Sequence, residues 1–431
     1  MRVFVKSFGC SANLADGEVL AGCLAEAGHK LVDTVEAADI VVYNTCAVKG
    51  PTENRMMEVL KRVPADKKLI VAGCLPLINF ERLCKEVHFD AVLGPAAGEK
   101  IVDVVMHVLN GDKVVALQDA ANAKPKLNLP RLRLNPVVGI IPVNYGCLGS
   151  CTYCCVVFAR GRVRSYAIPE ILRRVERDKA MGIREFWITS QDTACYGKDI
   201  GINLAKLLKA LCEVEGELRI RVGMMTPNLA KNILEDLIQA FQSEKIFNFI
   251  HLPVQSGDNQ ILKRMRRFYS IDDFKEVVNA FRNNLSEVTV ATDVICGFPG
   301  ETKEAFERTL QLIEDVKPDI VNVSKFFARP RTAAAEMREE FVSSTEIKRR
   351  SSLTAKLAKK IVYERNRRWI GWTGKILVDE VGKVPGSWIG RNFAYKPVVL
   401  KNVGYGNFHG KALHVRIARV FVTYLEGEIV Q

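Results

Sequence analysis

Cys147, Cys151 and Cys154 form a Cys-x3-Cys-x2-Cys run within Tyr145-Gly146-Cys147-Leu148-Gly149-Ser150-Cys151-Thr152-Tyr153-Cys154. A run this short constrains everything built around it. Three thiolates on one loop can each take one iron of a cubane cluster, leaving the fourth iron open to a small molecule. Ferredoxin runs use other spacings and close every iron. Two other readings stay open at this point. Zinc prefers four closed ligands, often in two Cys-x2-Cys pairs, and no second pair follows at the usual distance. Adjacent Cys155 could serve as a fourth ligand, though its side chain is expected to point elsewhere. Cysteines that merely fill a core are the third reading.

The chain has 431 residues, enough for two to four domains with real cores. Hydrophobic residues make up 48%, which excludes a chain dominated by disorder. No basic start leads into an apolar stretch, so no signal peptide is expected, and no apolar run is long enough to cross a bilayer. Without a secretory signal, twelve cysteines point to metal ligation more than to disulfides, and to the cytoplasm. Lysine plus arginine number 62 against 49 aspartate plus glutamate, and the formal charge of +13 favours a polyanionic partner.

The expected class is α/β, in three segments. Residues 1–111 alternate strand-like and helical patterns: Arg2 to Phe8, Ile40 to Thr45, Lys68 to Ala72 and Ala91 to Leu93 read as strands, Leu14 to Ala27 and Ile101 to Leu109 as helices. This rhythm implies a small parallel sheet with flanking helices. Cys10, Cys46 and Cys74 each stand just past a strand end, so all three can meet on the edge where such sheets bind ligands. The alternative is three buried apolar cysteines, which leaves the shared position unexplained. Cys23 and Cys84 lie in helical patterns beside leucines and read as core. Cys195, Cys212 and Cys296 have no partner at ligand spacing and read as structural.

Residues 112–135, with their prolines and lysines, read as a linker. Residues 136–345 resume the alternation, and six βα units suggest an open, partial β/α barrel, whose active site would lie at the carboxyl ends of its strands. That rule selects the cysteine run, Thr189-Ser190-Gln191-Asp192, Leu252-Pro253-Val254-Gln255-Ser256-Gly257 and Gly297-Phe298-Pro299-Gly300-Glu301-Thr302. The last is glycine-rich but lacks the lysine of a phosphate loop. Residues 346–370 predict a strongly basic helix, ordinarily a solvated face. Residues 371–431 alternate β-branched and apolar residues between glycine turns and predict a small antiparallel barrel. Such barrels often bind nucleic acid through basic and aromatic surfaces. Candidate contacts are Arg367, Arg368, Arg391, Lys396, Lys401, Lys411 and Arg416, with Trp388, Phe393, Tyr395 and Phe408, although half of these aromatics could be core.

The cysteine run resembles that of radical S-adenosylmethionine (SAM) enzymes. Nearly the whole chain is similar to the methylthiotransferases, specifically the archaeal and eukaryotic type acting on N6-threonylcarbamoyladenosine in tRNA. The resemblance rests on Ser7-Phe8-Gly9-Cys10-Ser11-Ala12-Asn13, on Asn44-Thr45-Cys46-Ala47-Val48-Lys49-Gly50-Pro51-Thr52-Glu53-Asn54, on Ala72-Gly73-Cys74-Leu75-Pro76, on the cysteine run with Ala159-Arg160-Gly161, and on the loops at His251 and Gly297. The last barrel resembles the family's TRAM domain. Ala47, Leu77, Cys155 and Arg331 depart from the family pattern, which has threonine, glutamine, isoleucine or valine, and glycine there.

The resemblance implies two 4Fe-4S clusters. Cys10, Cys46 and Cys74 would hold an auxiliary cluster carrying sulfur, and Cys147, Cys151 and Cys154 the cluster that chelates SAM. Tyr153, Ser190, Gln191, Asp192, Gln255, Ser256, Gly297, Phe298 and Pro299 would line the SAM site, with no catalytic residue assigned beyond the cluster ligands. One SAM would methylate the sulfur. A second, cleaved reductively, would yield the radical that takes the C2 hydrogen of the modified adenine. Implied partners are the anticodon loop of tRNA, whose bases can leave the stack, an electron donor such as a ferredoxin or flavodoxin, and a sulfur source. The rival readings are the same chemistry on a ribosomal protein aspartate and a structural iron–sulfur protein that binds RNA.

Overall fold

The computed structural model describes residues 1–46, 50–117, 122–404 and 406–430. Ala47, Val48 and Lys49 of the second amino-terminal motif lie outside these, so the Ala47 departure has no structural account. The amino-terminal sheet is parallel throughout. Its strands run in the order Lys30–Leu31, Arg2–Ser7, Ile40–Thr45, Lys68–Gly73, Ala91–Leu93, Val114–Ala116. Ile40–Thr45 is buried along its whole length, as its unbroken apolar run requires of a central strand covered on both faces. The sixth strand, Val114–Ala116, lies beyond the expected boundary at residue 111 and pairs with Ala91–Leu93. The stretch expected as a linker is also packed: Leu127 and Leu129 are buried, and the Leu132 amide donates to the Glu18 carbonyl.

The helix Ser11–Glu26 buries nearly every side. It is wedged between its own sheet and the first strand of the second domain, where Ala15 packs on Val138 and Ile140. Its buried residues include Asn13, Asp16 and Glu18, so the position demands polar partners as well as apolar packing. The second domain places Val138–Pro142, Glu185–Thr189, Arg219–Val222, Phe249–His251, Thr289–Cys296 and Ile320–Lys325 side by side and parallel, in two sheets of three joined by one parallel bridge, Ile220 to Ile246. This is the partial six-stranded barrel the sequence implied.

The carboxyl-terminal barrel closes in the order Thr373–Val381, Trp388–Arg391, Pro397–Leu400, Leu425–Ile429, Ala412–Val420. It is antiparallel except where Pro397–Leu400 pairs parallel with Leu425–Ile429. Five strands cannot alternate direction around a closed ring, so one parallel pair is unavoidable. This barrel docks on the amino ends of the second domain's strands. The Asn248 amide donates to the Phe393 carbonyl at 2.8 Å. Asp319, just before the last strand, takes Lys396 at 3.2 Å and Arg368 at 3.0 Å. The Tyr395 ring sits 4.9 and 5.2 Å from those of Phe247 and Phe249.

Candidate active site

Arg2–Ser7, Ile40–Thr45 and Lys68–Gly73 are adjacent parallel strands, so Cys10, Cys46 and Cys74 leave the sheet at neighbouring carboxyl ends. Polar side chains pin these ends. Asn13 donates to Asn44 Oδ1 at 2.9 Å and to the Thr45 carbonyl at 3.2 Å, while Asn44 donates to the Asn13 carbonyl at 2.6 Å. Gly73 has φ +95, and a Cβ there would lie 2.3 Å from the Thr45 carbonyl oxygen, so only glycine serves before Cys74. Burial pushes the Cys74 thiol up to about 12. A thiol held this way ionises when a metal takes the proton's place.

The second triplet hangs between Asn144–Tyr145 and the short helix Val156–Arg160. Gly146, at φ +76, would place a Cβ 2.0 Å from the Arg162 carbonyl oxygen. The Gly149 amide donates to Cys147 Sγ at 3.2 Å. A Cβ at Gly149 would lie 3.3 Å from Cys147 Sγ and 3.6 Å from Cys151 Sγ, so glycine keeps the space between two thiolates clear. Arg267 donates to Cys151 Sγ at 3.2 Å. Burial again pushes the Cys154 thiol up, with Cys151 and Cys155 adding to it. Among the described residues no three ligating side chains close on a single ion. A cubane asks for less convergence than tetrahedral zinc, since each thiolate serves its own iron. In each triplet the thiols lie within electrostatic reach of one another, Cys10 and Cys46 of Cys74, and Cys147 and Cys151 of Cys154, which is the donor set a cubane needs.

The two triplets face one region. Ser11, beside Cys10, meets Thr189 at the end of its strand with 2.5 Å between hydroxyl oxygens. Asp16 takes Arg160 at 2.5 Å and also accepts the Tyr145 hydroxyl. Arg160 lies within electrostatic reach of both Cys74 and Cys10. A second buried latch joins Glu53 to Arg329, with Arg82 at 3.0 Å on the same carboxylate. Neither latch was anticipated, because each spans more than a hundred residues.

The residues expected to contact SAM gather on the same edge, but several are engaged internally. Gln191 Oε1 accepts the Gly146 amide at 2.8 Å and so holds the cysteine loop. Asp192 is buried and accepts the amides of Ala194 at 3.0 Å and Thr226 at 3.1 Å. Ser190 accepts the Asp192 amide and Ser256 that of Asp258. Gln255 sits at φ +68, bridged to Val294. Phe298 is buried, with Tyr153 edge-on at 6.4 Å, while Gly297, at φ +79, donates to Glu301 at 2.7 Å. Pro299 is buried beside them.

Cys195, read as structural, lies against Cys147, and its thiol contact is the main cause holding the Cys147 thiol below its usual value. The departures Leu77, Cys155 and Arg331 share one seam. Arg331, at φ +62, keeps the left-handed backbone glycine would favour, donates to the Leu77 carbonyl at 2.5 Å and lies 4.8 Å over the Phe158 ring. Cys155 is buried beside Arg329.

Three cations expected to contact nucleic acid face inward instead, which corrects that reading. Lys396 is buried on Asp319 and Asn366, Arg368 binds Asp319 and Glu287, and Arg391 binds Asp379 at 2.9 Å and Glu380 at 2.8 Å. Each neutralises a carboxylate that docking of the barrel would otherwise strand. Lys401 pairs with Glu426 at 2.5 Å, while Arg367, Lys411 and Arg416 stay exposed. Trp388 is buried, and Phe393 and Tyr395 are spent on packing.

Residues 141–313 match the family model of the radical SAM superfamily, and residues 2–94 that of the uncharacterized protein family UPF0004. Over 432 residues, all of both chains, the sequence is 40% identical to the "Probable threonylcarbamoyladenosine tRNA methylthiotransferase" of Pyrococcus horikoshii. It is 34% identical over 436 residues to the threonylcarbamoyladenosine tRNA methylthiotransferase of Homo sapiens, covering 99% of this chain and 74% of that one. Among solved structures, the radical SAM methyltransferase TsrM from Kitasatospora setae, with cobalamin and a 4Fe-4S cluster bound, superposes with TM-score 0.58 over 93% of this chain and 81% of its own, a likeness of fold at 14% identity. On its identity to the two methylthiotransferases over nearly its whole length, and on the two family models it matches, the chain belongs to the threonylcarbamoyladenosine tRNA methylthiotransferases.

Proposed function

We propose that the protein adds a methylthio group to C2 of N6-threonylcarbamoyladenosine next to the tRNA anticodon, in the cytoplasm, with an external one-electron donor such as a ferredoxin or flavodoxin and an external sulfur source. The supporting observation is that Cys10, Cys46 and Cys74 at neighbouring parallel strand ends and the Cys147, Cys151 and Cys154 loop after Asn144–Tyr145 lie on either side of one joint, with Ser11 touching Thr189 across it. Cys147, Cys151 and Cys154 hold the cluster that receives SAM, and Cys10, Cys46 and Cys74 hold the auxiliary one. Bound there, the two 4Fe-4S clusters and SAM supply one-electron cleavage and the methylthio group; that chemistry is the cofactors' own.

The chain's part is placement. Gly146 and Gly149 keep the cysteine loop tight and open between its thiolates. Arg267 neutralises charge at Cys151, which favours the anionic cluster with SAM. The Asp16–Arg160 and Glu53–Arg329 latches fix the distance between the two sites, a requirement when a reactive group must meet its partner within one pocket. Nucleoside mass spectrometry of tRNA from cells with and without the gene tests the reading. Loss of 2-methylthio-N6-threonylcarbamoyladenosine on deletion is expected, and its persistence at full level would refute it.

A further inference from the structure

The helix Ser344–Arg367 links the two ends of the second domain. At its start, Arg350 donates to the Glu301 carbonyl at 2.7 Å and to its carboxylate at 2.8 Å, and Ile347 lies beside Gly297, so the helix is rooted on the Gly297 loop at the reaction edge. At its end, Arg365 and Arg368 bind Asp319, and Trp369 enters the core of the carboxyl-terminal barrel. Twenty-four residues at about 1.5 Å each give about 36 Å from one end to the other. Its inner face, with Ser351, Thr354, Ala358, Ile361 and Val362, is buried.

The outer face carries a single line of cations. Lys348, Arg349, Lys356, Lys359, Lys360 and Arg367 are all exposed, and Arg349, Lys356, Lys360 and Arg367 follow at seven-, four- and seven-residue steps that keep to one side of a helix, with Lys359 three residues from Lys356. Arg349 is partly neutralised by Glu346 at 2.7 Å, and Glu364 is an exposed acid near the far end. Among the described residues, Lys356, Lys359, Lys360 and Arg367 have no ion-pair partner, whereas the inward cations of the same helix are matched to Glu301 and Asp319. Like charges three and four residues apart repel, so this row weakens the free helix and suits a bound polyanion. Tyr363, 45% exposed, stands within it.

We propose that this outer face is a phosphate rail: tRNA lies along the helix, its backbone on Lys356, Lys359, Lys360 and Arg367, while its modified base reaches the reaction edge at the Gly297 end. The proposal rests on the tRNA reading above and adds the path. Of the barrel cations, Lys396, Arg391 and Lys401 are paired with carboxylates, while Lys411 and Arg416 stay exposed, so the helix row continues the free charge from the barrel to the reaction edge.

The test is equilibrium binding of tRNA bearing N6-threonylcarbamoyladenosine to the full-length protein across a salt series. Each phosphate contact removed takes about 0.7–0.9 from the slope of log affinity against log salt. Lys356→Glu/Lys359→Glu/Lys360→Glu should therefore lower the slope by about two to three and weaken binding at least about tenfold near physiological salt. A control reversing Lys100, Lys198 and Lys206, exposed elsewhere, should change neither. Circular dichroism and the thermal midpoint report folding. Should the triple variant misfold, Lys356→Glu and Lys360→Glu alone should each lower the slope by about 0.7–0.9. An unchanged affinity and slope, or an equal loss in the control, overturns the path. A wild-type protein that does not bind this tRNA overturns the substrate reading with it.

Discussion

Asp16→Asn isolates the contact that ties the two cysteine sites together. Asp16 and Arg160 are each 2% exposed and 2.5 Å apart, so the pair sits in the regime where losing one partner strands the other. The nearest groups left to compensate Arg160 are Cys74, Tyr145 and Cys10. Breaking a buried pair from one side costs about 3–5 kcal/mol. Asparagine still offers an acceptor to Arg160 and to the Tyr145 hydroxyl, which returns about 1 kcal/mol. The expected loss is about 2–4 kcal/mol. Asp16 lies on the helix that begins after Cys10, and Arg160 ends the helix that follows Cys154. The damage therefore falls on the joint, not on either core. Urea midpoints measure the stability. The ratio of 5′-deoxyadenosine to methylthiolated nucleoside, followed in the reconstituted enzyme, measures the coupling. SAM cleavage should continue while the ratio rises, because the radical forms out of register with its target. Asp16→Leu with Arg160→Met should recover most of the stability, since a packed apolar pair often equals a buried ionic one. A loss below about 1 kcal/mol, the range of exposed pairs, together with an unchanged ratio would refute the reasoning.

Three further outcomes are expected. Gly149→Ala sets a methyl 3.3 Å from Cys147 Sγ, which must shift to make room, so iron content and SAM cleavage should both fall below the wild-type values; full iron and activity would contradict the cradle. Cys195→Ala removes the thiol beside Cys147, which should leave iron content intact and lower the reduction potential of the SAM-binding cluster, read by EPR-monitored titration; an unchanged potential would show that the contact does not tune it. Glu185 is buried at the barrel seam, facing Trp187, Asp379, Arg391 and Tyr395, and burial first, then Asp379, pushes its carboxyl up from 4.5 to about 7. The folded protein holds a proton that the unfolded chain releases between those values, so this site's contribution is greatest below about pH 4.5 and falls as pH rises toward 7. Glu185→Gln should flatten the thermal midpoint across that window, and a slope like that of the wild type would exclude Glu185 as its source.

Strand ends were legible because a parallel sheet writes them plainly: an apolar run, then cysteine within three residues of its end, three times over on adjacent strands. The partial barrel was legible for the same reason. What stayed hidden depends on partners remote in sequence. Lys396 reads as a surface cation until Asp319, 77 residues earlier, is placed beneath it. Cys195 has no ligand spacing, yet the turn capped by Asp192 brings it against Cys147. Arg331 reads as an awkward replacement for glycine, but its φ of +62 keeps the turn and its guanidinium gains the Leu77 carbonyl. Holding a non-glycine residue there costs about 1–2 kcal/mol, which a hydrogen bond and a stacked ring can offset. Periodicity records which side of an element is buried, not which charge waits on the other domain.

The central claim is that the two triplets divide the labour, one cleaving SAM and the other delivering the methylthio group. Anaerobically reconstituted Cys46→Ala, incubated with SAM, a reductant and tRNA bearing N6-threonylcarbamoyladenosine, tests it directly by mass spectrometry of both products. The expected result is 5′-deoxyadenosine without methylthiolated nucleoside. Methylthiolated nucleoside at the wild-type yield, or the loss of 5′-deoxyadenosine as well, would contradict it.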